Sequence, residues 1–167
     1  DRLFLVAQIY DMNWRTFSGQ EINEPIAERV EHVIQSEIAS GYRLKLCIGT
    51  DSRVIGHGID FATVIVFLRE GQGGFMFVNN SHEEREMSLN QRMITEVAKS
   101  IQIAFELCGK IEHYNIPLEV HADINTDPGF KSNAALKEAM GYILSMGFIF
   151  KAKPEAFASS YCADKMI

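Results

Sequence analysis

Three strand-like stretches stand almost back to back between Leu44 and Asn80. In "LKLCIGTDSR", Leu44, Leu46 and Ile48 alternate with Lys45, Cys47 and Gly49, the period-two pattern of a strand. "FATVIVFLRE" is rich in β-branched and aromatic residues and reads as a buried strand. "FMFVNN" is a third strand, and only the Gly-containing "VIGHGID" and "GQGG" separate the three. Connections this short join neighbours antiparallel, because a parallel crossover needs about a dozen residues or more. A chain with this centre must build a sheet around a three-strand meander.

The period then changes. From about Glu84 to Lys110, Leu89, Met93, Val97, Ile101, Phe105 and Cys108 recur at helical spacing. "IPLEVHADIN" follows, with Leu118, Val120, Ala122 and Ile124 on one face and Glu119, His121 and Asp123 on the other. After the turn "TDPGFKSN", a helix runs through Leu136, Met140, Ile143 and Leu144 and stops at Gly147. "FIFKAKP" is a fifth strand and "EAFASSYCADKMI" a short closing helix. Ahead of the meander, residues 18–41 read as an additional helix. Ser18 with Glu21 resembles a capping box, Ile22, Ile26, Val30, Val33, Ile34 and Ile38 form the apolar stripe, and Gly41 is the stop. The order helix, β-β-β-α-β-α-β-α implies one α/β domain over residues 1–167. Its core is a five-stranded mixed sheet, a three-strand antiparallel meander plus two parallel strands, with helices on both faces.

The chain is long enough to bury a proper core. Its net charge of −6 argues against coating nucleic acid through bulk charge, since that binding is driven by Lys and Arg. Three cysteines, Cys47, Cys108 and Cys162, make a poor disulfide framework and read as thiols in a reducing compartment. The longest apolar run is too short to span a bilayer, so no membrane partner is expected, and the start shows no leader pattern. A cytoplasmic location is the resulting expectation.

Four carboxylates stand out by position. Asp51 ends the first strand of the meander, and Asp123 lies where the fourth strand opens into a loop. That strand follows a helical crossover, so it can pair in parallel beside the first. Both carboxylates then lie at neighbouring carboxyl ends, where open α/β sheets place their ligand sites. Glu96 sits at the border of the buried face of the long helix, between Met93 and Val97. Asp164 is four residues after Ser160 on the closing helix, which must pack back on the sheet. Clustered carboxylates repel without a counter-charge. Divalent cations resolve this, and an oxygen-only set suits Mg²⁺ or Mn²⁺. Each residue also has a plain reading: Asp51 as a turn residue, Glu96 as an exposed helix glutamate, Asp164 as a surface charge. His121 shares a face with Asp123 and is either an auxiliary group or, more simply, a hydrogen-bonded structural histidine. Lys151, Lys153 and Lys165 flank the last helix and either meet phosphate or are solvated. The Gly-rich stretches match no phosphate loop.

The stretches "IGTDS", "TEVAKS", "HADIN" and "GFIFKAKPEAFASSYCADK" resemble the YkuK-like family of ribonuclease H-like proteins, from about Trp14 to the C terminus. The resemblance implies a ribonuclease H-like fold. It also implies a two-ion Mg²⁺ or Mn²⁺ site formed by Asp51, Glu96, Asp123 and Asp164. His121, Ser52, Lys153 and Lys165 are auxiliary candidates by their positions beside these carboxylates. The implied activity is a metal-dependent nuclease acting on RNA, DNA or a hybrid. The alternative is a non-catalytic module of the same fold that binds nucleic acid or a protein. An ATP-dependent phosphotransferase is a third option, disfavoured because the chain has no room for a second domain.

Overall fold

The computed structural model describes residues 13–124 and 134–167. The opening "DRLFLVAQIY" and the turn "TDPGFKSN" fall outside the described residues.

Seven strands form one mixed sheet. They are β1 (Trp14–Thr16), β2 (Glu21–Ile22), β3 (Leu44–Ile55), β4 (Gly58–Arg69), β5 (Gly74–Glu83), β6 (Leu118–His121) and β7 (Ile149–Lys151), in the order β2-β1-β5-β4-β3-β6-β7. The meander β3-β4-β5 is antiparallel, while β6 and β7 pair in parallel beyond β3. The helices are α1 (Ile26–Ala39), α2 (Leu89–Ile111) and α3 (Ala134–Ser145). A π-helical segment, Ala158–Ala163, follows β7.

The five expected strands are all present, but the sheet has seven. The two extra ones form a short hairpin, β1 and β2, that extends the β5 edge. The stretch expected to open a helix at Ser18 is instead the turn of this hairpin. Gly19 takes φ +99°, and the Gln20 amide donates to Thr16 Oγ1 at 3.1 Å. Helix α1 begins only after Pro25 and ends on Gly41, at φ +87°. The capping box of the chain lies elsewhere. Ser88 Oγ accepts from the Gln91 amide and Gln91 Oε1 accepts from the Ser88 amide, so α2 starts at Leu89 rather than near Glu84.

The alternation of β3 separates the two faces of the sheet. Leu44, Leu46 and Ile48 join Ile65 and Phe67 of β4 in the main core, under α1, α2 and α3. Cys47 turns the other way and packs with Val64, Val66, Ala158 and Ala163 beneath the C-terminal segment. Leu46, Ile48, Ile65 and Phe67 are fully buried, and burial of each side chain stabilises the fold by about 1.5–3 kcal/mol. Among the described residues no helix is long and apolar enough to cross a membrane.

Candidate functional site

Strand β3 outruns its parallel neighbour. The pairing of β3 with β6 stops at Gly49 opposite His121, while β3 continues against β4 to Ile55. Asp51 therefore does not end its strand as the sequence suggested. It lies in the middle of β3, paired with Ala62, at the level where β6 has already opened. Two residues past His121 comes Asp123. Because side chains alternate, Gly49 and Asp51 face the same side as His121 and Asp123.

The C-terminal segment lies on that side and reaches both carboxylates. Ser160 Oγ donates to Asp123 Oδ1 at 3.0 Å, and Lys153 Nζ contacts the same oxygen at 2.9 Å. Asp164 hydrogen-bonds with Asp51. Burial pushes the Asp51 carboxyl up to about 6, the Ser52 amide works against it, and Asp164 and Asp123 add their hydrogen bond and charges. Asp164 itself is exposed, as is Lys165. The electrostatic influence of Lys165 falls on Cys162.

Ser52 points to the opposite face, toward α2. Its hydroxyl donates to Glu96 Oε1 at 2.5 Å and accepts from Arg92 Nε at 3.1 Å. Arg92 also donates to the Ser52 carbonyl at 2.9 Å. Burial pushes Glu96 up to about 7, Ser52 and Arg92 oppose this, and the charges of Asp51 and Asp123 add to it. All four carboxylates are thus linked electrostatically: Asp51 to Asp164 and Asp123, Glu96 to Asp51 and Asp123. Below them, Thr50 Oγ1 bridges Thr63 at 3.1 Å and Ser100 at 2.7 Å, a buried hydroxyl row that fixes α2 on the sheet.

Arg92 and Ser160 were not singled out by the sequence reading. Each sits four residues before a carboxylate, Arg92 before Glu96 and Ser160 before Asp164, so helical spacing was the available signal.

A second cluster lies nearby, fully buried. Cys47, Glu119 and His121 bring three ligand-type atoms within 4.8 Å of one another, the one such group among the described residues. His121 Nε2 lies 2.9 Å from Glu119 Oε1, Lys45 Nζ lies 3.1 Å from Glu119 Oε2, and Cys47 Sγ lies 3.8 Å from Oε1. Burial would raise Glu119, but His121 and Lys45 hold it below its ordinary value. Burial lowers His121 and, together with the Glu119 charge, pushes Cys47 up to about 12. Both ring nitrogens of His121 are engaged within the fold, Nδ1 by the Ala158 amide at 3.1 Å.

Among the described residues, no three of the four carboxylates Asp51, Glu96, Asp123 and Asp164 come within 4.8 Å of one another. The donors are all oxygen, the set that hard divalent cations take. Burial, the largest cause, keeps Asp51 and Glu96 protonated to higher pH than an ordinary carboxyl.

The Ribonuclease H-like family model matches residues 25–167. The chain is also similar to an uncharacterised protein, YkuK, of Bacillus subtilis (strain 168). The two are 28% identical over an alignment that covers 85% of this chain and 88% of that one. The meander, the parallel strands beside it and the extent of the family match agree, and the chain belongs to the ribonuclease H-like family.

Proposed function

We propose that this protein is a Mg²⁺- or Mn²⁺-dependent nuclease whose site is formed by Asp51, Glu96, Asp123 and Asp164. The observation that supports the reading is the electrostatic linkage of four carboxylates from β3, α2, the end of β6 and the C-terminal segment, with Asp51 raised to about 6 and Glu96 to about 7. Asp51 and Asp123 would hold the ions between them, with Glu96 and Asp164 completing the set. Bound there, the ions supply an activated water and a counter-charge for the leaving oxygen. Ser52, backed by Arg92, would hold Glu96 Oε1 in place. Lys153 supplies a positive charge beside Asp123 where a phosphate would enter.

The test is cleavage of RNA, DNA, hybrid and branched substrates with and without Mg²⁺ or Mn²⁺. Metal-dependent cleavage is expected, and Asp51→Asn should lower kcat/KM at least about 100-fold, more than loss of an outer partner costs. Equal background from wild type and variant would reject the reading.

One observation favours a second reading, a scaffold that binds nucleic acid or protein without cutting: the net charge of −6. Partner binding that survives neutralisation of all four carboxylates would support it.

A further inference from the structure

Ser160 lies in the π-helical stretch Ala158–Ala163 and Asp164 caps its end, and this segment has no strand pairing of its own. It meets the sheet above Gly49, where an added Cβ would lie 2.4 Å from Ala158 C and Ser159 N. At that point the Ala158 amide, in the first turn of the segment where intrahelical acceptors are lacking, donates to His121 Nδ1 at 3.1 Å. The His121 ring stands edge-on to Phe157, with centroids 4.7 Å apart. A ring nitrogen that accepts carries no proton, so the proton of neutral His121 is on Nε2. Nε2 faces Glu119 Oε1 at 2.9 Å, and Lys45 closes the row on Glu119 Oε2 at 3.1 Å. Glu119 and His121 are 5% and 1% exposed, so this pair is buried, while Lys45 reaches it from the surface.

The same three side chains, Cys47, Glu119 and His121, have the composition of a metal site. The hydrogen bonding speaks against it. A metal on Nε2 requires the ring proton on Nδ1, where metal-bound histidines usually donate to an oxygen. Here Nδ1 faces an N–H, and a second donor would leave both unsatisfied in a buried place.

We propose that His121 is a positioning residue for the candidate site. In its Nε2–H form, braced by Glu119 and Lys45, it anchors the start of the C-terminal segment and so sets Ser160 against Asp123 and Asp164 against Asp51. The role in catalysis rests on the nuclease reading above, whereas the anchor itself can be tested without activity.

The experiment combines ring ¹⁵N chemical shifts of wild-type His121 with amide hydrogen exchange and Mn²⁺ titration of His121→Leu and His121→Asn. The wild type should show protonated Nε2 and bare Nδ1. In His121→Leu, amides from Ala158 to Asp164 should exchange about ten-fold faster, the size of one lost hydrogen bond, while those of β3 and β4 keep their rates. Mn²⁺ should bind about ten-fold more weakly. His121→Asn, whose Oδ1 can accept where Nδ1 did, should recover most of both. A proton on Nδ1, a uniform exchange change across the sheet, no rescue by Asn, or Zn²⁺ binding that Cys47→Ser abolishes would each overturn the proposal. The tautomer needs no variant, so a His121→Leu chain that fails to fold does not remove the test. Should the wild type bind no Mn²⁺, the nuclease reading fails while tautomer and exchange still decide the anchor.

Discussion

Asp51 and Glu96 carry the sharpest consequence at the level of single residues. Both carboxyls are raised in the folded protein, from 3.8 to about 6 and from 4.5 to about 7. The folded state therefore holds these protons to higher pH than the unfolded chain. Their contribution to stability is fully present below about pH 4 and is lost as pH rises through 6 and 7. Glu106, raised to about 7 by burial, acts in the same direction. Glu37 and Glu119 are lowered and act the other way as pH falls through the ordinary carboxylate range. His121, lowered by burial, adds stability as pH rises toward 6.5, whereas the raised His82 loses its contribution above that. Without metal, the melting temperature should thus fall by a few degrees between about pH 6.5 and pH 8. Thermal unfolding followed by circular dichroism checks this. The double variant Asp51→Asn, Glu96→Gln should flatten the slope, with Glu106→Gln as a comparison. Saturating Mn²⁺ should restore stability more at pH 8 than at pH 5, because binding must displace the protons. A wild-type profile that is flat or rises with pH over that window would contradict this assignment. The sequence made these carboxylates legible through position: element order set Asp51 and Asp123 at the carboxyl ends of neighbouring parallel strands, and helical spacing set Glu96 at the inner border. The partners that tune them, Arg92 through Ser52 and Ser160 on Asp123, depend on how distant elements pack, which spacing alone does not fix.

At the scale of elements, the contact between β3 and the C-terminal segment decides the geometry. Gly49 has no side chain because the backbone of Ala158 and Ser159 occupies that space. Gly49→Ala should cost about 1–3 kcal/mol, the usual range for overpacking, and should weaken Mn²⁺ binding with it. Urea unfolding and a metal titration measure the two effects. A variant as stable as wild type would mean the segment is not seated as described. Strands β3 to β6 could be read from their patterned runs, and the three-residue β7 from the apolar "FIF" that follows the Gly147 stop. The hairpin of β1 and β2 could not, because strands of three and two residues carry no period and the Ser18–Glu21 spacing imitates a helix start. In α2 the true inward stripe is Val97, Ser100, Ile103, Ala104, Leu107 and Ile111, while Leu89 and Phe105 are exposed. The buried hydroxyl of Ser100 is satisfied by Thr50, so a polar residue lies on a face that hydrophobicity alone would assign elsewhere.

For the whole molecule, β3 is the hinge of the design: it joins the antiparallel half of the sheet to the parallel half and carries Asp51 at the opening between them. Leu46 lies fully buried at that junction, and Leu46→Ala should cost about 2–5 kcal/mol. Val54, 54% exposed near the tip of the same strand, should change stability by less than about 0.5 kcal/mol when truncated to Ala. Equal costs at the two positions would contradict the core assignment. On the proposed nuclease reading, the net charge of −6 would leave affinity for a polyanion to bound ions and to local cations such as Arg92 and Lys153, so chelation should abolish tight substrate binding as well as cleavage. The most direct measurement is anomalous diffraction from crystals soaked in Mn²⁺. Manganese peaks are expected between the carboxylates of Asp51 and Asp123, within reach of Glu96 and Asp164. Peaks confined to Cys47, Glu119 and His121, or none at saturating Mn²⁺, would contradict the assignment of this site.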